Sequence, residues 1–212
     1  MAPTGVNHPL FARIYPRINA CTEAHGATAH RRELLADISG VVVEIGAGTG
    51  ANFRYYPAKV EQVIAVEPEP RLRAMAQLAA VDAPVPVEVR AGTAEELPVP
   101  DGSADAVVAS LVLCTVRDVP KALAEAARVL QPEGHLFFYE HVRSERPGFA
   151  RMQRAVDLVW PLVGGGCHLT RRTEAAIVAA GFTIEHVRQF DFLINGRATP
   201  ASPSVIGTAR KT

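Results

Sequence analysis

From Val41 onward, short apolar, β-rich runs bounded by turn residues alternate with stretches whose apolar positions recur at helical spacing. The pattern predicts strands over 41–45, 63–66, 85–89, 106–111, 136–139, 183–187 and 205–208. Between them, Asp118 is placed to cap a helix with Pro120 in its first turn, and Leu123, Ala127 and Leu130 line one face before QPEG ends it. Phe149, Met152, Val156, Val159 and Trp160 form a stripe on the next helix, and Thr170 is expected to cap a third that stops at Gly181. Upstream, residues 8–39 read as helical. Pro16 is expected to break or kink that segment, with a second helix running from about Thr22 to Ser39 and Gly40 as its cap. Alternating strands and helices imply an α/β fold, a doubly wound parallel sheet with helices on both faces. No repeat, low-complexity tract or linker divides the chain. The expectation is one domain over 1–212, with 1–39 as a helical lid on a core of 40–212.

Composition narrows the function. The 212 residues are 48% hydrophobic and 21% charged, with a formal net charge of zero, which offers no electrostatic footprint for nucleic acid or an anionic membrane surface. Cys21, Cys114 and Cys167 are odd in number, lie far apart and have no CxxC spacing, so neither a disulfide framework nor a zinc site is suggested. No histidine pair has HExxH or comparable ligand spacing, and no metal is expected. No segment approaches the roughly 20 apolar residues needed to span a bilayer. A soluble, cytoplasmic protein is expected.

The stretch VVVEIGAGTGANF carries chemistry. Gly46, Gly48 and Gly50 directly follow the first strand and open what comes next, where a backbone without Cβ atoms lets a nucleotide-like ligand approach. Gly46, Gly48 and Ala51 also satisfy the dinucleotide fingerprint, so an NAD-dependent oxidoreductase stays open. Glu44 stands two residues before the first glycine in an apolar strand and needs a cationic or donor partner. The α-amino group of S-adenosylmethionine is one such partner, whereas a pyrophosphate would be repelled. Glu67, at the end of the second strand, is placed to accept hydrogen bonds from two ribose hydroxyls.

EIGAGTG, VEPEP, AGTAEELPVPDGSADAVVASLVL and LAEAARVLQPEGHLFFYEHV occur in order and at the spacing of class I S-adenosylmethionine-dependent methyltransferases, which the chain resembles over roughly 38–142. EIGAGTGANFRYYP, PDGSADAVVASLVLCTV, FYEHV and GGCHLTR more narrowly resemble the animal methyltransferase-like alkyl thiol S-methyltransferases and their bacterial relatives, to about residue 172. The resemblance implies a Rossmann-like seven-stranded sheet, mostly parallel with the last strand antiparallel, and S-adenosylmethionine as cofactor. It implies that Glu44, Gly46, Ala47, Gly48 and Gly50 hold the methionine end and that Glu67 and Pro68 hold the ribose. Thr93, Ala94 and Glu95 would border the adenine, with Leu111 beneath the sulfonium. Many relatives have Asp where this chain has Thr93, which implies an adenine amino contact that is either weaker or made by Glu95. The animal thiol enzymes carry an N-terminal hydrophobic anchor; this sequence shows no such run, and no membrane anchor is expected.

The expected reaction is methyl transfer to a small molecule, foremost a thiol, with O-, N- or C-methylation of a phenol, amine or quinol as the alternative and a cofactor-binding subunit without activity as a third. His141, after the fifth strand, and His168, in a glycine-rich loop, are the candidates for a base or acceptor-orienting donor. His30, His135 and His186 read as surface. Cys114 reads as a small buried hydrophobe, because transfer from a sulfonium needs no covalent intermediate. His8, Phe11, Tyr15 and His25 are candidates for the lid.

Overall fold

The structure is a computed structural model and describes residues 9–212. Seven strands, β1 (Gly40–Ile45), β2 (Val60–Val66), β3 (Val87–Arg90), β4 (Ala104–Ser110), β5 (Leu130–His141), β6 (Phe182–Asp191) and β7 (Pro203–Lys211), form one sheet in the order β3-β2-β1-β4-β5-β7-β6. β3, β2, β1, β4 and β5 pair in parallel, and β7 runs antiparallel to both β5 and β6. This is the Rossmann-like mixed sheet expected, with order reversing at β1. The central strands are buried on both faces, as a parallel sheet covered by helices demands. Val43, Ile45, Val107 and Leu136 face one apolar cluster, and Val42, Val63, Val108 and Phe137 the other.

The helices depart from the sequence pattern at their ends. Helix α1 (Pro9–Thr22) runs through Pro16 without a break. The interruption falls later, in a π-helical segment over Glu23–Ala27, where His25 leaves helical geometry and Gly26 takes φ +105°. Helix α2 (Thr28–Leu35) then ends before Ser39. Gly40 belongs to β1; its φ of +73° and the Asp105 side chain, 2.3 Å from where a Cβ would stand, both require glycine. Helix α3 (Pro70–Val81) is capped by Glu69, which accepts from Leu72 N, and α4 (Val119–Val129) by Asp118, which accepts from Lys121 N. Each has proline in its first turn, so an absent N–H costs nothing. Leu130 is not on the face of α4 but opens β5, and QPEG lies within that strand.

The apolar stripe expected to reach Trp160 is split between α5 (Pro147–Val156) and a single turn, α6 (Trp160–Val163), with Val159 exposed between them. Thr170 does not cap α7 (Thr173–Ala179); its hydroxyl donates to Asp157, 3.0 Å away, and Arg172 takes the cap position. His30, read as surface, is half-buried: its ring stacks on Phe190 at 4.2 Å and packs against Tyr139. No helix among the described residues is long and apolar enough to cross a membrane.

Candidate functional site

At the carboxyl end of the sheet, beside the crevice between β1 and β4, lies a cavity of about 340 Å³. Gly46, Gly48, Glu67 and Pro68 form one end of its wall, Thr93, Ala94 and Glu95 another, and Leu111 and His168 complete it among the expected residues. Glu44, Ala47, Gly50 and His141 do not line it. A larger depression, about 440 Å³, sits at the other end of the sheet among Asp37, Gln131, Glu133 and Glu185. Position decides between them, since open parallel sheets bind ligands outside the carboxyl ends of their strands at the order switch.

The three glycines of the loop have different reasons. A Cβ on Gly46 would stand 2.4 Å from Val112 Cγ2, and one on Gly50 would stand 2.6 Å from the Phe53 ring. Both positions therefore serve the protein's own packing. Gly48, at φ +58°, is on the cavity wall with only the Tyr15 ring near it, at 3.2 Å. The close backbone approach foreseen from the sequence belongs to Gly48 most directly.

Glu44 finds its donors inside the protein. Asn52 Nδ2 donates to Oε1 at 2.9 Å and the Tyr56 hydroxyl to Oε2 at 2.7 Å. Burial pushes its carboxyl up to about 7, against those two hydrogen bonds and the nearby Arg31. Arg31 itself is buried, donates to Asn52 Oδ1 (2.7 Å) and pairs with Glu23 (2.6 Å). This chain of polar groups ties the π-helical segment and α2 to the glycine loop.

Glu67 lies on the wall, where its Oε2 accepts from Gly48 N (2.8 Å) and its Oε1 from Glu69 N (2.9 Å). Burial raises its pKa despite these bonds, and each oxygen keeps a lone pair for a ligand. Glu69 lines the same end, and Arg73 beneath it is turned to the carbonyls of Glu67 and Pro68. Two carboxylates on the wall at the glycine end, with the Arg73 guanidinium taken up by backbone carbonyls, suit an ammonium or hydroxyl ligand and oppose a pyrophosphate. Glu95 accepts from Arg117 N at 2.9 Å, which fastens the adjoining loop.

The opposite wall was less visible in the sequence. Leu111 takes φ +57°, a costly conformation for leucine, as its N–H donates to Tyr139 O. Glu140 holds the backbone that follows: fully buried, it accepts from the N–H groups of Val112, Leu113 and Cys114 at 2.8–3.0 Å. Its carboxyl is pushed up to about 7 by burial, against those three donors. The signal for Glu140 was present in FFYEHV, an acid in an apolar strand, the same argument applied to Glu44. Gly165, Gly166 and Arg171 also line the cavity. Phe11 packs where a Gly165 Cβ would be, and its ring lies 5.3 Å from Tyr15, so α1 reaches from the glycine loop to the 164–166 loop across the opening. Of the other expected lid residues, His25 hydrogen-bonds Asn195 away from the cavity, and His8 lies outside the described residues.

The two candidate histidines separate. His168 lines the cavity with its side chain 44% exposed, and its Nδ1 lies 3.2 Å from Asp157 Oδ2. Asp157 also accepts from Leu169 N and the Thr170 hydroxyl, so the carboxylate holds the whole turn. His141 is instead behind the wall. Its Nδ1 lies 3.6 Å from Cys167 Sγ and 3.9 Å from Cys114 Sγ. Two cysteines remote in sequence therefore meet in space, where spacing alone had kept them apart. The Cys167 thiol is held below its usual range by Cys114 and the His141 imidazole, against burial, while Cys114 is raised by Cys167 and burial.

The Methyltransferase domain family matches residues 43–138. Human Thiol S-methyltransferase TMT1B is 34% identical over the whole of this chain and 91% of its own length, and the Rattus norvegicus TMT1B is 32% identical with the same coverage. Among solved structures, a Thermotoga maritima SAM-dependent methyltransferase superposes with a TM-score of 0.71 at 24% identity, covering 95% of this chain and 98% of its own. That likeness speaks for the fold alone. The cofactor is S-adenosylmethionine, and the bare Gly48 and the paired carboxylates Glu67 and Glu69 fit its methionine ammonium and its ribose. The chain belongs to the class I S-adenosylmethionine-dependent methyltransferases, in the family that includes the mammalian thiol S-methyltransferases.

Proposed function

We propose that this enzyme methylates the sulfur of a small thiol. The observation that carries the reading is one cavity at the carboxyl end of the sheet lined by Gly48, Glu67 and His168, the last paired with Asp157 behind it. The names of the human and rat relatives support the thiol. Bound in the cavity, S-adenosylmethionine supplies a methyl group activated by the positive sulfur beside it.

The chain's own task is alignment and exclusion of water. Glu67 accepts from the ribose hydroxyls, Gly48 and Gly46 present bare backbone to the methionine end, and Thr93, Ala94 and Glu95 border the adenine. Leu111 supplies an apolar floor. Glu44, Ala47 and Gly50 act one layer behind, by fixing the loop. With Nδ1–H directed to Asp157, His168 has its Nε2 lone pair free to take the acceptor's proton, the arrangement by which a carboxylate sets an imidazole's tautomer. A thiol with a pKa of ~8.5 is only a few per cent ionised at neutral pH, so the gain from such a base is modest compared with that for a phenol of pKa ~10. Of the expected lid 1–39, the described residues 9–39 are read as the lid, with Phe11 and Tyr15 as its cover over the core of 40–212. The neutral net charge supports a small-molecule acceptor over nucleic acid, and three free cysteines support a cytoplasmic setting.

The test is mass spectrometry of the protein incubated with S-adenosylmethionine and a panel of alkyl thiols, phenols, amines and quinols. Methylation of thiols alone is expected. Methylation only at oxygen, nitrogen or carbon overturns the thiol assignment and leaves the cofactor site standing.

A further inference from the structure

Behind the cavity wall, three elements converge on one point: the loop after β4 through Cys114, the end of β5 through His141, and the 164–169 loop through Cys167. Their ligand atoms all lie within 4.8 Å of one another, with His141 Nδ1 at 3.6 and 3.9 Å from the two sulfurs. A tetrahedral zinc ion with Zn–S of about 2.3 Å and Zn–N of about 2.0 Å sets its ligand atoms about 3.5–3.8 Å apart. The side chains need close by less than about an ångström to meet that geometry. We propose that Cys114, His141 and Cys167 form a binding site for a soft divalent cation, zinc foremost, with a fourth coordination position left for water or another small ligand.

Two further observations point to a built site. The backbone around both sulfurs is fastened: Cys114 N donates to buried Glu140, His168 N donates to Cys114 O at 2.8 Å, and Cys167 N donates to Gly164 O at 3.1 Å. The two cysteines are buried in an apolar shell of Leu169, Val156, Trp160 and Ala201, the water-poor surround that strengthens a metal–thiolate bond. His141 is the partly exposed member of the three. Two thiolates balance the charge of a divalent ion. The consequence is mechanical: the ion would clamp the 164–169 loop, which brings Gly165, Gly166 and His168 to the cavity, onto the ends of β4 and β5. The inference does not depend on which acceptor is methylated.

The experiment is anaerobic titration of the reduced, metal-stripped full chain with Co²⁺ as the probe. One equivalent is expected to give sulfur-to-cobalt charge-transfer absorption with the visible bands of four-coordinate cobalt, and Zn²⁺ to displace it. Cys114→Ser/Cys167→Ser should lose the absorption; Cys21→Ser, at the exposed pair Cys21 and His25, should keep it. The melting shift produced by S-adenosylmethionine reports whether the double variant is folded and tests the cofactor site separately. Absence of the charge-transfer band in the wild type overturns the proposal without recourse to any variant. So does its persistence in a folded double variant.

Discussion

Gly48 and Glu67 are joined by one hydrogen bond, so each can be tested against the other. Gly48→Val places a branched side chain at φ +58° against Tyr15 and into the cavity, and Glu67→Ala removes the acceptor of two backbone N–H groups as well as the proposed ribose contact. Both are expected to weaken S-adenosylmethionine binding by at least about tenfold, a loss of ~1.4 kcal/mol, measured by calorimetry; unchanged affinity in both would remove this site. His168→Ala is expected to lower kcat by about tenfold or more while leaving the KM for S-adenosylmethionine within about twofold, because the imidazole is proposed to act on the acceptor.

Glu44 makes a prediction about pH. Its folded-state pKa of about 7 lies above the ordinary 4.5, so the fold favours the protonated form. That contribution is complete below the unfolded value and is lost as pH rises through about 7, by roughly 3 kcal/mol in all. Denaturant titrations of the unliganded protein should show stability falling from pH 5 to 7.5, with a shallower fall in Glu44→Gln. An equal slope in the variant would place the effect elsewhere.

At the scale of elements, the loop after β4 depends on one side chain. Glu140→Ala would orphan three buried N–H groups, at about 1 kcal/mol or more each, so a thermal destabilisation of at least ~3 kcal/mol is expected, with part restored by Glu140→Gln. Strand positions and the glycine loop were legible because they are written in local pattern: apolar strand runs, closely spaced glycines, and an acid at the end of β2. Helix ends were not. Thr170 looks like a cap, but Asp157, thirteen positions back, claims its hydroxyl, and Pro16 looks like a breaker where the chain continues as helix. The meeting of Cys114 with Cys167, and the choice of His168 over His141 on the cavity wall, depend on how the 164–169 loop folds back. No local spacing encodes that return.

For the whole molecule, cofactor choice is a statement about linkage. A ligand present at a hundredfold its Kd stabilises the protein that binds it by ~2.7 kcal/mol, which in a chain of this size is a rise in Tm of several degrees. S-adenosylmethionine should produce that rise and NAD should not; the reverse would reinstate the dinucleotide reading of Gly46, Gly48 and Ala51. Formal net charge is zero, so turnover of an uncharged thiol should change little with added salt.

The place of β7 bears on how the protein is made. It is the last of the seven strands to be synthesised, yet it lies between β5 and β6 and, among the described residues, supplies the only sheet pairing of β6. While the chain is emerging, β5 presents an open apolar edge and β6 has no strand to join. β6 joins the sheet through β7, as a hairpin closed through the turn at Asn195 and Gly196. Until that hairpin docks, the nascent protein has its cofactor crevice nearly assembled and its far edge unguarded, and it is in this interval that a stalled or truncated chain would be most prone to stick to its neighbours.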